Sequence, residues 1–209
     1  MTVNKSRRRF AWSALARTFA AHASFHVVGS SRWGEDFSLP GDVAPWVQVS
    51  FQRVTNRETA PDVRLGVWLA DFERDWRARL KHTAVSEIGE FPPLGLYFMN
   101  IASLMPRPWA PNPPADEDIA AVREWFDRVF DYAKRRLPSS VAALAAAVEA
   151  NKIADHNVEA YLRHPVKVRG LVGWLRRTHG IDISERVLPL LGDRTEPYDV
   201  SVMLGPPPT

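Results

Sequence analysis

The chain has 209 residues, 45% of them hydrophobic, and its 27 Lys and Arg against 24 Asp and Glu give a formal net charge of +3. This composition is typical of a globular protein and excludes a chain that is disordered throughout. The absence of cysteine excludes disulfides, thiolate catalysis and cysteine-ligated metals, and it fits a reducing compartment. The mildly basic charge allows a nucleic acid, a membrane surface or an acidic protein as partner without selecting one. No apolar run approaches the ~18–20 residues that a membrane-spanning helix needs.

The N-terminus carries a basic segment, residues 6–10, that is similar to a twin-arginine export signal. Arg17 and Thr18 interrupt the apolar stretch that follows, which leaves it shorter than the hydrophobic region of a signal peptide. The spacing instead predicts an amphipathic helix over residues 8–21, whose apolar face holds Phe10, Leu15 and Phe19. We therefore expect a cytoplasmic protein that begins with a helix.

The clearest alternation in the chain lies between residues 46 and 72. Apolar side chains occupy every second position in two segments, which predicts two antiparallel strands with one buried face and one wet face. The apolar residues are Val47, Val49 and Phe51 in the first segment and Val63, Leu65, Val67 and Leu69 in the second. The polar residues 55–62 between them contain turn formers and predict a long hairpin loop. Because an isolated pair of strands is marginal in water, further elements must cover the apolar face.

Shorter elements flank this hairpin. We predict short strands at residues 25–28 and 37–39, and a helix at residues 71–81 directly after the hairpin. The apolar and aromatic residues 94–101 predict a further buried strand. Five prolines between residues 105 and 114 exclude a helix or a central strand there and indicate a stiff linker.

Beyond the linker the pattern is helical. Acidic residues 116–118 begin a helix and basic residues 134–136 end it, which suits the helix macrodipole at both ends. Further helices are predicted at residues 139–150, 155–163, 165–179 and 184–191.

The predicted fold class is α+β, with an N-terminal helix packed on an antiparallel sheet of about four strands and followed by a helical C-terminal half. The chain then divides into residues 1–104, the proline-rich linker 105–114, the helical region 115–192 and an unstructured tail, 193–209. The helical region is either a separate domain or packed on the same sheet.

No motif in the sequence specifies a reaction, and we assign no catalytic residue. The chain lacks the nucleophile elbow of serine hydrolases, the phosphate-binding loop and the dinucleotide fingerprint. His22 and His26 have the spacing of helical metal ligands, but a strand is predicted to begin between them, so we expect no metal site and no cofactor. A dispersed acid–base site, built from Glu87, Glu90 and a histidine, makes an enzyme the second alternative.

A basic region between residues 151 and 179 makes a nucleic-acid-binding protein the first alternative. Its cations are Lys152, Arg163, Lys167, Arg169, Arg176 and Arg177, against the acids Asp155 and Glu159. Two short helices around His164-Pro165 would form a helix-turn-helix whose second helix offers its cations to phosphates. That helix carries no Asn or Gln to bind bases, so the same charges equally fit an ordinary solvated surface.

The order of elements resembles that of a known family of small bacterial proteins of unknown function. The resemblance rests on residues 49–52 (Val-Ser-Phe-Gln) at the end of one strand and residues 63–67 (Val-Arg-Leu-Gly-Val) in the next, and it covers residues 8–72 with the general helical character of the second half. Some members of that family are presumed immunity proteins of toxin systems. The resemblance implies binding and brings no catalytic residues to this chain.

These patterns favour a soluble, non-catalytic protein that binds another macromolecule, most of all a protein, in the manner of an immunity or accessory factor. The chain holds eight tryptophans, and because Trp is costly to expose, several must lie in the core while one or two are candidate interface anchors. The candidate interface residues are the polar face of the hairpin and two loop tryptophans: Trp33, Gln48, Gln52, Arg64, Trp68 and Trp109. Ordinary packing is the alternative role for each of them.

Overall fold

The computed structural model describes residues 5–31, 34–53, 58–80, 96–100, 105, 108, 110–111, 116–153, 156–157 and 165–191. The helices are α1 (Lys5–His22), α2 (Ala70–Leu80), α3 (Asp116–Arg136), α4 (Val141–Ala150), α5 (Pro165–His179) and α6 (Ser184–Val187), and a 3₁₀ turn (Leu188–Leu191) follows α6. The strands are β1 (His26–Ser31), β2 (Gly34–Ser38), β3 (Val43–Arg53), β4 (Glu58–Leu69), β5 (Leu96–Asn100), β6 (Ala110–Pro111), β7 (Lys152–Ile153) and β8 (His156–Asn157).

The α+β class predicted from the sequence is confirmed: an N-terminal helix packs on an antiparallel sheet, and helices make up the C-terminal half. The strand order of the main sheet is β1-β2-β3-β4-β5, and β6 pairs with β4. A separate two-stranded ribbon joins β7 to β8. Across the described ranges, no helix combines the length and the apolar character needed to cross a membrane.

The chain divides into two compact units that do not follow chain order. The first unit comprises Met1–Pro40, Pro45–Gly66 and Asn100–Leu137, and the second comprises Gly41–Ala44, Val67–Met99 and Pro138–Thr209. The division predicted at residues 105–114 stays a prediction, because most of that segment lies outside the described residues, as does the whole tail 193–209.

Aromatic side chains build the core of the first unit. Phe19 of α1 packs against Phe126 of α3, with ring centroids 5.5 Å apart. Phe130, one turn further along α3, contacts Phe25 at 4.8 Å and Phe37 of β2 at 6.3 Å. All five rings are buried, so α1 and α3 cover the same face of the sheet as Phe37.

The turn that joins α1 to β1 is closed by a left-handed residue. Ser24 has φ 63°, and the amide of Phe25 donates to the carbonyl of Ala20 at 2.8 Å. This bond spans six residues and satisfies a carbonyl that the helix end leaves unpaired. Glycine is the usual residue at such a position, because a Cβ is strained in the left-handed region.

The hairpin of β3 and β4 confirms the predicted apolar face. Six of its members are buried: Val47, Val49, Val63, Leu65, Val67 and Leu69. The predicted long loop at residues 55–62 is wrong, because β4 already begins at Glu58. Glu58 and Thr59 pair with Pro111 and Ala110 of β6, and this backbone pairing extends the strand through polar residues that have no apolar periodicity.

The opposite face of β3 is also buried where it pairs with β2. Asp36 lies opposite Gln48, while Phe37 lies opposite Val47 on the other face. Asp36 and Gln48 are 1% and 4% exposed. The expectation of one wet face is therefore wrong for this part of β3, because alternation reports only that neighbouring residues point in opposite directions.

In the second unit, α2 and α5 approach each other closely. Gly170 is buried on α5, and a Cβ built there would lie only 2.6 Å from Cζ3 of Trp76 on α2. Phe72, one turn before Trp76, contacts the ring of Trp174 with centroids 5.8 Å apart. The missing side chain of Gly170 is thus what admits the indole ring against the backbone of α5.

Local signals set the other helices of this unit. The hydroxyl of Ser140 accepts from the amide of Ala143 at 3.2 Å and caps α4, which ends at Asn151 in the left-handed region with φ 51°. The helices predicted at residues 139–150 and 165–179 are confirmed. The helix predicted from residue 155 is wrong at its start, because His156 and Asn157 pair with β7 as strand β8; residues 158–164 lie outside the described ranges.

Candidate functional site

Glu35 is a buried carboxylate whose partners are structural. The Arg17 side chain of α1 donates from Nη2 to both carboxylate oxygens at 3.0 Å and from Nε at 3.3 Å. The hydroxyl of Ser30 on β1 donates to the same carboxylate at 3.3 Å. These bonds tie α1, β1 and β2 together and occupy the oxygens that an acid–base catalyst would need.

Asp36 forms a second buried polar contact on the other face of the sheet. Gln48 Nε2 donates to Asp36 Oδ1 at 3.0 Å, and the two residues are direct partners across β2 and β3. Buried hydrogen bonds to a charged group stabilise by about 1.5–3 kcal/mol, and a register slip would break this one. Gln48, a predicted interface residue, is therefore a buried residue that stabilises strand register, and only 4% of its surface is exposed to a partner.

The remaining predicted interface residues divide into two groups. Trp33, Trp109 and the side chain of Gln52 lie outside the described residues. Arg64 lies on β4 with its side chain 41% exposed and its Nε 3.9 Å from Asp62 Oδ2. Trp68 on the same strand is half-buried. Each of these two keeps part of its surface available to a partner, and their assignment to an interface stays a prediction.

Two of the cations predicted to contact nucleic acid form ion pairs inside the second unit. Lys167 of α5 pairs with Glu73 of α2, and both side chains are buried, at 2% and 6% exposure. Arg177 donates to Asp75 Oδ2 at 3.0 Å from the last turn of α5. The expectation that Lys167 reaches a phosphate is wrong, because Lys167 is buried against Glu73 of α2.

Helix α5 is also enclosed along most of its length. Residues 170–175 are all buried, whereas a recognition helix must leave one face open to enter a groove of the duplex. Arg176 and Lys152 are exposed, Arg169 is half-buried, and Arg163 lies outside the described residues. Of the described cations, Lys167 is therefore closed to a phosphate, and the helix-turn-helix stays a prediction because residues 158–164 lie outside the described ranges.

The described part of the chain offers no candidate metal site. No group of three or more His, Cys, Asp or Glu residues is placed to hold a metal ion there. His22 ends α1 and His26 begins β1, as the sequence predicts. Glu87 and Glu90 lie outside the described residues, so the dispersed enzyme site stays a prediction.

The first unit has two surface features that were not predicted from the sequence. Strand β1 lies at the end of the strand order, and its Val27 is 44% exposed. A surface cavity of about 450 Å³ is lined by Tyr132, Arg135 and Arg136 at the end of α3. The edge position of β1 depends on strand order and has no sequence signal. The spacing of residues 132, 135 and 136, which lie on one helix flank, is a signal that could have found the cavity.

Comparison with known proteins assigns no family: no family model, no curated protein and no solved structure matches the chain. The two segments that carry the resemblance lie in the hairpin, with residues 49–52 in β3 and residues 63–67 in β4. The family resemblance stays a prediction.

Proposed function

We propose that this chain acts by binding another protein, without catalysing a reaction, in the manner of an immunity or accessory factor. The observation that carries the proposal is strand β1, which is an edge strand among the described residues. Such a strand presents backbone N–H and C=O groups that an extended segment of a partner can pair with. The proposal includes a cytoplasmic location, for which the lack of cysteine is the support.

The composition of β1 favours such pairing. Its sequence, His26–Ser31, contains no Lys, Arg, Asp, Glu or Pro, the residues that commonly protect an edge from other strands. Val27 exposes 44% of its surface, and Val is among the residues that pair best across strands. A register shift between Val27 and Gly29 marks a bulge, which opposes general edge pairing and restricts it to a partner that fits the twist it introduces.

In the described part of the chain, the contacts of Lys167, Arg177 and Glu35 do not favour the alternatives. Lys167 and Arg177 are engaged by Glu73 and Asp75, which weakens the nucleic-acid alternative. Glu35 is engaged by Arg17, which removes a buried carboxylate from the acid–base candidates. Half-buried Trp68 in the second unit adds some support for a protein partner, because Trp is enriched among interface anchors.

A photo-crosslinking amino acid at position 27 tests the proposal in the native organism. We expect one protein to be captured there and not at position 190, where Leu190 is a comparably exposed apolar residue of the second unit. The captured protein is then purified and titrated with the chain. Val27→Lys should weaken binding about tenfold or more by placing a desolvated charge at the edge, whereas Val27→Thr should change it little. Capture of no protein, or equal affinities for the two variants, would refute the proposal.

A further inference from the structure

The end of helix α3 carries a cavity of about 450 Å³ that the structural roles described above do not use. Tyr132, Arg135 and Arg136 line it, and their spacing places all three on one flank of the helix, beside the buried face. Both arginines are exposed and Tyr132 is half-buried. The cavity therefore combines two guanidinium groups with an aromatic ring on a single rigid element.

Among the described residues that line the cavity, the two arginines differ in their charge partners. Arg135 forms an ion pair with Asp131, one turn earlier on the same helix. Across the ranges that the structure describes, no carboxylate pairs with Arg136. The helix macrodipole explains why cations are favoured in the last turn. It does not require a cavity between them or a tyrosine beside them.

We infer that this cavity binds a carboxylate side chain of an acidic segment in the partner protein, an inference that rests on the proposed function. A guanidinium holds a carboxylate through two parallel hydrogen bonds, and Arg and Tyr are both frequent among residues that dominate binding energy. The charge decides between carboxylate and phosphate. Among the described lining arginines, Arg136 alone lacks a carboxylate partner and balances a single negative charge, and the carbonyl end of the helix opposes a dianion more strongly than a monoanion.

The test uses an acetylated and amidated hexaglutamate peptide as the probe, with hexaglutamine as the uncharged control. We expect the intact chain to bind hexaglutamate at low ionic strength and to bind hexaglutamine at least about tenfold more weakly. Arg136→Gln should reduce the affinity for hexaglutamate about tenfold. Arg128→Gln is the matched control, because Arg128 is an exposed arginine of the same helix with its own carboxylate 3.9 Å away, and it should change the affinity less than about twofold.

Three results would overturn the inference. Equal losses in Arg136→Gln and Arg128→Gln would reduce the binding to general attraction by a basic chain. Inorganic phosphate that displaces the peptide at equal concentration would indicate a small-anion site. If the protein captured at position 27 binds Arg136→Gln as tightly as the unchanged chain, the acidic-segment inference fails while the proposed function stands. If no protein is captured but the peptide binds in an Arg136-dependent manner, the proposed function fails and carboxylate recognition is supported.

Discussion

The contact between Gly170 and Trp76 makes the sharpest prediction about this fold. Alanine at position 170 would place its Cβ 2.6 Å from Cζ3 and 2.7 Å from Cε3 of the indole. Carbon atoms in favourable contact are about 3.5–4.0 Å apart, so α2 and α5 would have to separate by about 1 Å. The ring has little room to move away, because Trp76 is only 3% exposed.

Two opposing effects set the expected change in the free energy of unfolding. Overpacking a buried contact costs about 1–3 kcal/mol, and a rigid ring at this distance favours the upper part of that range. Alanine offsets about 1 kcal/mol of this through its higher helix propensity. We therefore expect Gly170→Ala to lower the free energy of unfolding by about 2 kcal/mol.

Urea denaturation followed by circular dichroism measures this change, and a double-mutant cycle assigns its cause. Trp76→Phe removes the part of the indole that holds Cζ3 and Cε3, so Gly170→Ala should become neutral or stabilising in that background. Ala146→Gly at an exposed position of α4 measures the propensity effect alone and should cost about 1 kcal/mol. If Gly170→Ala stabilises both backgrounds by the same amount, the close approach of α2 and α5 is wrong.

Three further predictions use local contacts. Ser24→Gly should raise the free energy of unfolding by about 0.5 kcal/mol, because glycine relieves the left-handed strain but gains entropy in the unfolded chain; an unchanged urea midpoint would contradict this. Lys167→Met should cost about 3–5 kcal/mol by leaving Glu73 buried without its counter-charge, and Glu73→Leu in the same chain should recover most of the loss. Hydrogen bonds from the hydroxyl and then the amide of Ser184 lower the pKa of Asp182, so Ser184→Ala should raise that pKa in a carboxyl-detected NMR titration. The stability that Asp182 contributes is present at neutral pH and is lost as pH falls through its lowered pKa.

The sequence predicts elements well where one periodicity dominates. Helix α3 combines an apolar stripe with acidic and basic ends, and α5 begins at Pro165 and ends at His179 as expected. The sequence predicts contacts poorly where the partners lie far apart in the chain. Lys167 and Glu73 are 94 residues apart, and nothing in the local pattern around either residue shows that one neutralises the other.

The polar residues of the sheet show that the sequence also does not predict which strand residues are exposed. Alternation predicts correctly that Gln48 points away from Val47, but it cannot predict whether the second face is covered. Asp36 and Gln48 are polar and also buried, because each satisfies the other across neighbouring strands. A polar residue in an alternating strand therefore indicates its direction and not its exposure. Whether another part of the chain covers that face, which the alternation does not reveal, decides the exposure.

Ion pairs in the folded chain neutralise part of the region that is most basic in the sequence. The excess of cations in residues 151–179 counts neighbours in sequence, whereas Lys167 and Arg177 are neutralised by Glu73 and Asp75 of a helix elsewhere in the chain. The burial of Lys167 would be costly without its partner, so this pair fixes how α2 and α5 meet and contributes nothing to a long-range field. Lys167 is buried and paired, whereas Arg136 is exposed and no described carboxylate pairs with it. If the partner presents an acidic segment, as we infer, Arg136 at the end of α3 is open to it, whereas Lys167 is not.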